Sequence, residues 1–423
     1  MSTKAMVVQE DQANLPPAHN KAIRSQHVHS TIKRISSPSC LLDASGHLNP
    51  ARSSYINEAI QQLSCLSKAV GQENSAREKL LHALELSAGD WARGPIPSRL
   101  DKSSPVWLSD VSNDHSPVEY SLALDQASGE AEVRFLIEAQ PKFKSLTALQ
   151  ASVSNLTADI AARYSAIVSL DRLDLIRDLF MPQEPDPEST FVAWHSFAVS
   201  TTLEKWKMYL NPHALGKYNA SAVTQEALNR LGLANSWNLL ESSVISGDDY
   251  VIYCAIGMSR NSEVKVYIAH PEASAAQIAK KHSNLDSNAD IYEIQQFYSC
   301  MAGGSLGPYC GKPPISCFHF KRGEDPCQAT RTVLFPLDNY ATHDADAQQR
   351  VITYIQAISA PQVFRARYER AIDAVRRRPL ESGRGIHSWA SLKMKPGGKR
   401  SNTFYLSPEL FGPLPDDGLL SDC

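Results

Sequence analysis

Apolar and polar positions change period several times along the chain, and each change marks a new predicted element. In "SYINEAIQQLSCLSKAVG", Ile56, Ile60, Leu63 and Val70 recur at helical spacing, and "ENSAREKLLHALELSAG" predicts a second helix closed by Gly89. "PVEYSLALDQASGEAEVRFLIEA" then reads as two β-rich runs around a Gly-containing turn, the pattern of a hairpin. A long helix follows, with Leu146, Leu149, Val153, Leu156 and Ile160 on one stripe, and the pattern carries it on towards Phe180. The succession then repeats. "TFVAWHSFAV" and "KWKMYLNP" are strands before the helix "ASAVTQEALNRLGL"; "DYVIYCAIGMSRNSEVKVYIAHP" is a hairpin before the helix "ASAAQIAKKHS". "PPISCFHFKRGEDPCQATRTVLFPL" is a hairpin before the helix "DADAQQRVITYIQAI", and "GIHSWASLKMKPGGKRSNTFYLSP" is a fifth, turned at "PGG".

A hairpin followed by helical sequence, over and over, is an architectural repeat even though the letters barely match. Consecutive antiparallel hairpins avoid exposed edges most simply by closing into a barrel. The expected fold is therefore an α/β one: a closed antiparallel barrel of about ten strands, ringed by helices, with a lumen for small ligands. Residues 1–49 are polar, dotted with proline and without sustained periodicity, and are expected to be a disordered leader. Residues 50–423 are expected to form the barrel as a single domain.

Composition narrows the function. With 43% hydrophobic and 21% charged residues and a net charge of -3, the chain resembles an ordinary globular protein and carries no footprint for nucleic acid. No run of about 18 apolar residues occurs, and the N-terminal stretch lacks an apolar signal core, so neither membrane spanning nor secretion is expected. The eight cysteines show no CxxC pair and no framework spacing, which is read as reduced thiols in a cytoplasmic protein.

Candidate chemistry lies in two strands. "KWKMYLNP" and "EVKVYIAHP" each put a lysine two residues before a tyrosine, Lys207 with Tyr209 and Lys265 with Tyr267, so each pair shares one face. Arg134 holds the comparable place in the first hairpin. Either this face points outward, leaving solvated lysines beside half-buried tyrosines, or it lines the lumen. Buried without a partner the cations would cost several kcal/mol, so the second case calls for a bound anion such as phosphate.

"DHSPVEYSLAL" with Glu119, "KMYLNP", "VKVYI" and the late "FYLSPEL", in this order and spacing, resemble the dimethylallyltryptophan synthase type of aromatic prenyltransferase. Its bacterial members are the most similar, through "FVAWH" and "KMYLNPHALGKYNA". The resemblance runs from about Ser53 to Leu410 and implies a barrel of αββα units. By that resemblance Glu119 accepts the indole N–H; Arg134, Lys207 and Lys265 bind the prenyl diphosphate; and Tyr209, Tyr267 and Tyr405 shield the allyl cation. It implies transfer of a dimethylallyl or longer prenyl group to an indole or tryptophan-type acceptor, with no essential metal or other cofactor. A phenolic or polyketide acceptor is the alternative within the class; a non-catalytic small-ligand barrel is the alternative outside it. A monomer or homodimer is expected. The sequence departs from the family at Glu263, where a basic residue is usual, and at Thr332 and Leu334, where glutamine and tyrosine are frequent.

Other signals are discounted. "GDDYVIYC" lacks the third carboxylate of a magnesium-binding DDxxD motif, and "GGSLGPYCGK" lacks phosphate-loop spacing. "GMSRN" misses the last glycine of GxSxG, which leaves Ser259 no nucleophile elbow. Asp171, Asp174 and Asp178 are read as a solvated face, Arg376–Arg378 as a helix end, and Cys317 and His319 as core.

Overall fold

The computed structural model describes residues 54–94, 96, 107–200, 203–285 and 291–412. The expected leader, residues 1–49, lies outside the described residues. Ten strands form the barrel: β1 (Val118–Asp125), β2 (Ala131–Ile137), β3 (Ala193–Val199), β4 (Glu204–Leu210), β5 (Tyr250–Gly257), β6 (Val264–Ala269), β7 (Ile315–Phe320), β8 (Thr330–Phe335), β9 (His387–Met394) and β10 (Arg400–Leu406). Each is antiparallel to its sequence neighbours, and β1 also pairs with β10, with Tyr120 opposite Leu406, so the ring is closed.

Strand alternation divides each strand between two environments. On β1 the even positions Tyr120, Leu122 and Leu124 face the helices and are fully buried, and the Tyr120 hydroxyl donates to the Ala59 carbonyl at 3.0 Å. The odd positions Glu119 and Ser121 face the lumen. The helical layer comprises α1 (Tyr55–Ala69), α2 (Asn74–Ala88), α3 (Leu146–Arg163), α4 (Asp171–Asp174), α5 (Arg177–Phe180), α6 (Ala220–Arg230), α7 (Ala234–Ser243), α8 (Ala275–Leu285), α9 (Ile291–Met301), α10 (Leu337–Tyr340), α11 (Asp344–Ala357) and α12 (Gln362–Val375). The apolar core lies between this layer and the outer face of the barrel, where Phe135, Phe197, Phe318 and Phe335 are at most 1% exposed. No described helix is long and apolar enough to cross a membrane.

Three details differ from the sequence reading. The long helix ends at Arg163 instead of running towards Phe180, because tertiary contacts outweigh helix continuation. Tyr164 turns its ring onto Phe197 and Trp206, and the Ser169 amide donates to the Met258 carbonyl at 2.8 Å. Arg377 and Arg378 do more than end a helix: Arg377 pairs with Glu58 at 2.9 Å, and Arg378 with both Asp344 and Glu409 at 2.6 Å. They tie the end of α12 to α1, α11 and the segment after β10. The thiols are not all reduced: Cys310 is disulfide-bonded, whereas Cys65, Cys254, Cys300 and Cys317 are free.

Candidate active site

Hairpin register decides which side chains meet in the lumen. Ser121 lies opposite both Arg134 and Tyr405, Ser196 opposite Lys207, and Lys265 opposite His319. One cavity inside the barrel is lined by all seven residues singled out in the sequence: Glu119, Arg134, Lys207, Tyr209, Lys265, Tyr267 and Tyr405. Of the two orientations left open for the lysines, the structure takes the inward one. Lys265 is 7% exposed.

These cations are not bare. Arg134 is ion-paired with Glu132, its neighbour on the same strand face. Glu263, the residue that breaks the family pattern, supplies a carboxylate to the others: Oε1 lies 3.3 Å from Lys265 Nζ and 3.6 Å from Lys207 Nζ. Its Oε2 accepts from Nδ1 of His319 at 3.2 Å, and Nε2 of His319 lies 3.1 Å from the Thr332 hydroxyl. Burial, reinforced by Lys265, holds His319 well below the ordinary imidazole range, so the ring is neutral and Nε2 accepts from Thr332.

The charge distribution follows from distance. Burial would raise Glu263, but Lys265, then His319 and Lys207, hold it well below the carboxylate range. Burial would lower Lys265, yet the nearer Glu263 oxygen keeps it above the usual value of an ammonium. Lys207, farther from that oxygen, is pushed well below its ordinary range by burial and by the Lys265 charge. One carboxylate cannot fully compensate two ammoniums, and the more distant one bears the deficit.

Aromatic groups lie beyond the cations. Tyr267 donates to the Tyr209 hydroxyl at 3.4 Å, and their ring centroids are 5.8 Å apart; Tyr253 meets Tyr267 edge-on at 6.0 Å. Farther along, Phe191 stacks on Trp194 at 4.2 Å. Glu119 is 6% exposed, and burial pushes its carboxyl up to about 8 against the pull of Lys312. Lys312 itself sits over the Trp389 ring at 4.6 Å and pairs with Asp338 at 3.2 Å.

Several lumen groups escaped sequence reasoning, among them Lys205 on β4, which lines this cavity. Lys393, on β9 opposite Thr332 and Ser401, lines the same cavity; its parity with Trp389 and Ser391 was a usable signal. Cys317 and His319, read as core, line it as well. Glu138, directly after β2, keeps the parity of Arg134 and Leu136; it is fully buried and accepts from Trp194 Nε1 at 3.1 Å.

Burial pushes Glu138 up to about 8, above the 4.5 of a free glutamate. The folded protein therefore holds this proton after the unfolded chain has lost it. The stability Glu138 contributes is full below about pH 4.5 and is lost as pH rises towards 8. Glu138→Gln keeps the acceptor for Trp194 and has no charge to bury. It is expected to gain about 1–3 kcal/mol over the parent between pH 5 and 9, measured by chemical denaturation at each pH. A gap that does not widen with pH would disprove the assignment.

Residues 93–286 match the family described as tryptophan dimethylallyltransferase. The 6-dimethylallyltryptophan synthase of Micromonospora olivasterospora, solved in complex with DMASPP and Trp, shares 27% identity and a TM-score of 0.76, over 86% of this chain and 99% of that one. By this match and this shared barrel the chain is similar to the tryptophan dimethylallyltransferases. It is an aromatic prenyltransferase. The 5-dimethylallyl tryptophan synthase of Streptomyces coelicolor, also solved with DMASPP and Trp, gives 25% identity and a TM-score of 0.74, over 88% of this chain and 99% of that one. AnaPT from Neosartorya fischeri is 14% identical with a TM-score of 0.68, covering 86% and 96%, and shares the fold. The ten-stranded ring is thus the barrel of the dimethylallyltryptophan synthases, as the sequence resemblance implied.

Proposed function

We propose that this prenyltransferase moves a dimethylallyl group from dimethylallyl diphosphate to the ring of tryptophan or a related indole, and that residues 50–423 act in this as one unit. One observation carries the reading: cations from three separate hairpins, three tyrosines and a buried glutamate line a single lumen. In the proposed reaction Arg134, Lys207 and Lys265 hold the diphosphate as the allylic C–O bond breaks and its electron pair leaves with the phosphate oxygen. Fixed cations stabilise that developing charge without reorganisation. Tyr209, Tyr267 and Tyr405 present aromatic faces to the allyl cation and keep water from it.

Glu119 is assigned to the indole N–H. As the ring attacks the allyl carbon, positive charge spreads to the indole nitrogen, and a carboxylate there lowers the barrier. The new C–C bond forms, and the proton on the attacked carbon leaves to restore aromaticity, with the departing diphosphate a basic sink for it. The charge on the leaving group is met by side chains, so no metal is required.

The test is incubation of the purified protein with dimethylallyl diphosphate and EDTA against a panel of tryptophan, simple indoles and phenols, read by mass spectrometry. Prenylated tryptophan or indole is expected, at a rate that magnesium does not raise more than about twofold. Phenol products alone would move the acceptor class. Tight aromatic binding without any product would favour the ligand-binding barrel.

A further inference from the structure

Outside the barrel, a cleft of about 420 Å³ opens between α4, the end of α6 and the turns that join β5 to β6 and β7 to β8. Five cations line it: Arg172, Arg230, Arg260, Lys321 and Arg322. Three of them have carboxylates of their own. Arg230 pairs with Asp178 at 2.7 Å and with Glu226 at 2.8 Å, Lys321 with Glu324 at 3.0 Å, and Arg260 with Asp171 at 3.7 Å. Asp174, the remaining acid of α4, is taken by Arg177 at 2.7 Å. Among the described residues no carboxylate is left for Arg172 or Arg322.

Both guanidiniums are nevertheless held in place. Arg172 is fixed from one side, where Nη1 donates to the Ser262 carbonyl and lies 3.4 Å from the Ser262 hydroxyl; Nε and Nη2 make no hydrogen bond among the described residues. Arg322 makes none at all among them, and its guanidinium rests against Gly232. A Cβ at Gly232 would lie 3.3 Å from Arg322 Nε, and the φ of +73° already favours glycine there. Arg322 does not serve the end of α6, which closes on itself: the Leu233 amide donates to the Leu228 carbonyl at 2.7 Å and the Gly232 amide to the Asn229 carbonyl at 3.0 Å. Burial, and then the Arg322 charge, hold Arg172 below the ordinary guanidinium range. Arginine keeps its proton regardless, so the two like charges need an anion between them.

We propose that this cleft is a second anion site, separate from the lumen, in which Arg172 and Arg322 clamp the phosphate of a small soluble molecule. Guanidinium forks match phosphate oxygens two at a time, and the amides of Asn229 and Asn261 line the same cleft as neutral donors. Leu175, 52% exposed, offers an apolar wall for whatever carries the phosphate. The volume is of the size that small ligands occupy, and a concave pit on a chain of net charge -3 does not suit a nucleic acid. The site asks nothing of the residues assigned to the lumen.

The test titrates AMP and inorganic pyrophosphate calorimetrically into the full chain with a non-ionising thiolodiphosphate donor analogue in excess, so that the lumen is filled beforehand. One site is expected to remain for at least one of the two. AMP as the stronger ligand would mark a phosphorylated organic molecule as the natural occupant, pyrophosphate the free ion. Arg322→Gln, at an exposed position whose side chain supports nothing else, is expected to weaken this binding about tenfold or more. Arg172→Lys keeps the charge but gives up the planar fork, and a loss of about tenfold is expected there too. The Arg322 arm stands even if the Arg172 variant fails to fold. Binding of neither ligand beside the analogue, or parent-like affinity in Arg322→Gln, overturns the cleft site and leaves the diphosphate assignment intact. An analogue that does not bind counts against the diphosphate assignment alone, since the cleft is read by its dependence on Arg322.

Discussion

Glu119→Gln is expected to cost about 10²- to 10⁴-fold in kcat with tryptophan or indole, the range associated with a positioned acid–base group, while donor binding changes little. The carboxamide is close in size to the carboxyl and still offers an oxygen to the N–H. What it cannot provide is negative charge opposite the forming indoleninium ion, so the loss should fall on kcat rather than on donor KM. The parent's pH profile supplies a second signature. With its carboxyl pushed up to about 8, Glu119 is largely protonated in the empty protein near neutrality, and kcat/KM should climb as pH rises through 8. That limb should vanish in the glutamine variant. Equal turnover in the two proteins, or the same limb in both, would remove Glu119 from its assigned role.

Lys265→Met should strike the donor instead. Lys265 is buried and closest to the shared Glu263 oxygen, so its loss removes the best-compensated cation and leaves the carboxylate to Lys207 and His319. Truncating one member of a buried charged pair typically costs about 2–5 kcal/mol. An increase of about 10²-fold or more in the dissociation constant of a non-ionising thiolodiphosphate donor analogue is therefore expected, with a parallel fall in kcat/KM for dimethylallyl diphosphate. Tryptophan affinity measured without donor should hold within about threefold. Donor binding at parental strength would place the diphosphate elsewhere.

The barrel was legible because hairpins declare themselves locally. Alternation, turn residues and the stop at Pro212 or Pro271 lie within a few residues of one another, and strand parity then fixes which side chains share a face. That parity was enough to align Lys207 with Tyr209 and Lys265 with Tyr267. It was not enough to give the inward orientation, which depends on ring closure between strands at opposite ends of the sequence.

The second helix of each repeat was harder to see. α7 is a ten-residue segment, "ANSWNLLESS", without a resolved stripe, and α12 starts only a few residues after α11 ends, which obscures where the periodicity restarts. Lys393 was hidden among the lysines of "SLKMKPGGK", which read as turn residues although parity already grouped it with Trp389. Glu263 could be named a departure from sequence, but not explained: its compensation comes from Lys207 on β4 and His319 on β7, brought together by strand pairing. Charges in a lumen are a property of the ring, not of any one strand.

Because the ring is sealed by Tyr120 of β1 against Leu406 of β10, a nascent chain emerging from the ribosome must expose almost all of its staves before the last can be inserted. Until then the growing sheet presents two raw edges able to capture strands from other molecules, and contacts this distant in sequence form slowly. A chain cut within its final strand would therefore be left as an open trough with two unpaired edges rather than a weakened barrel.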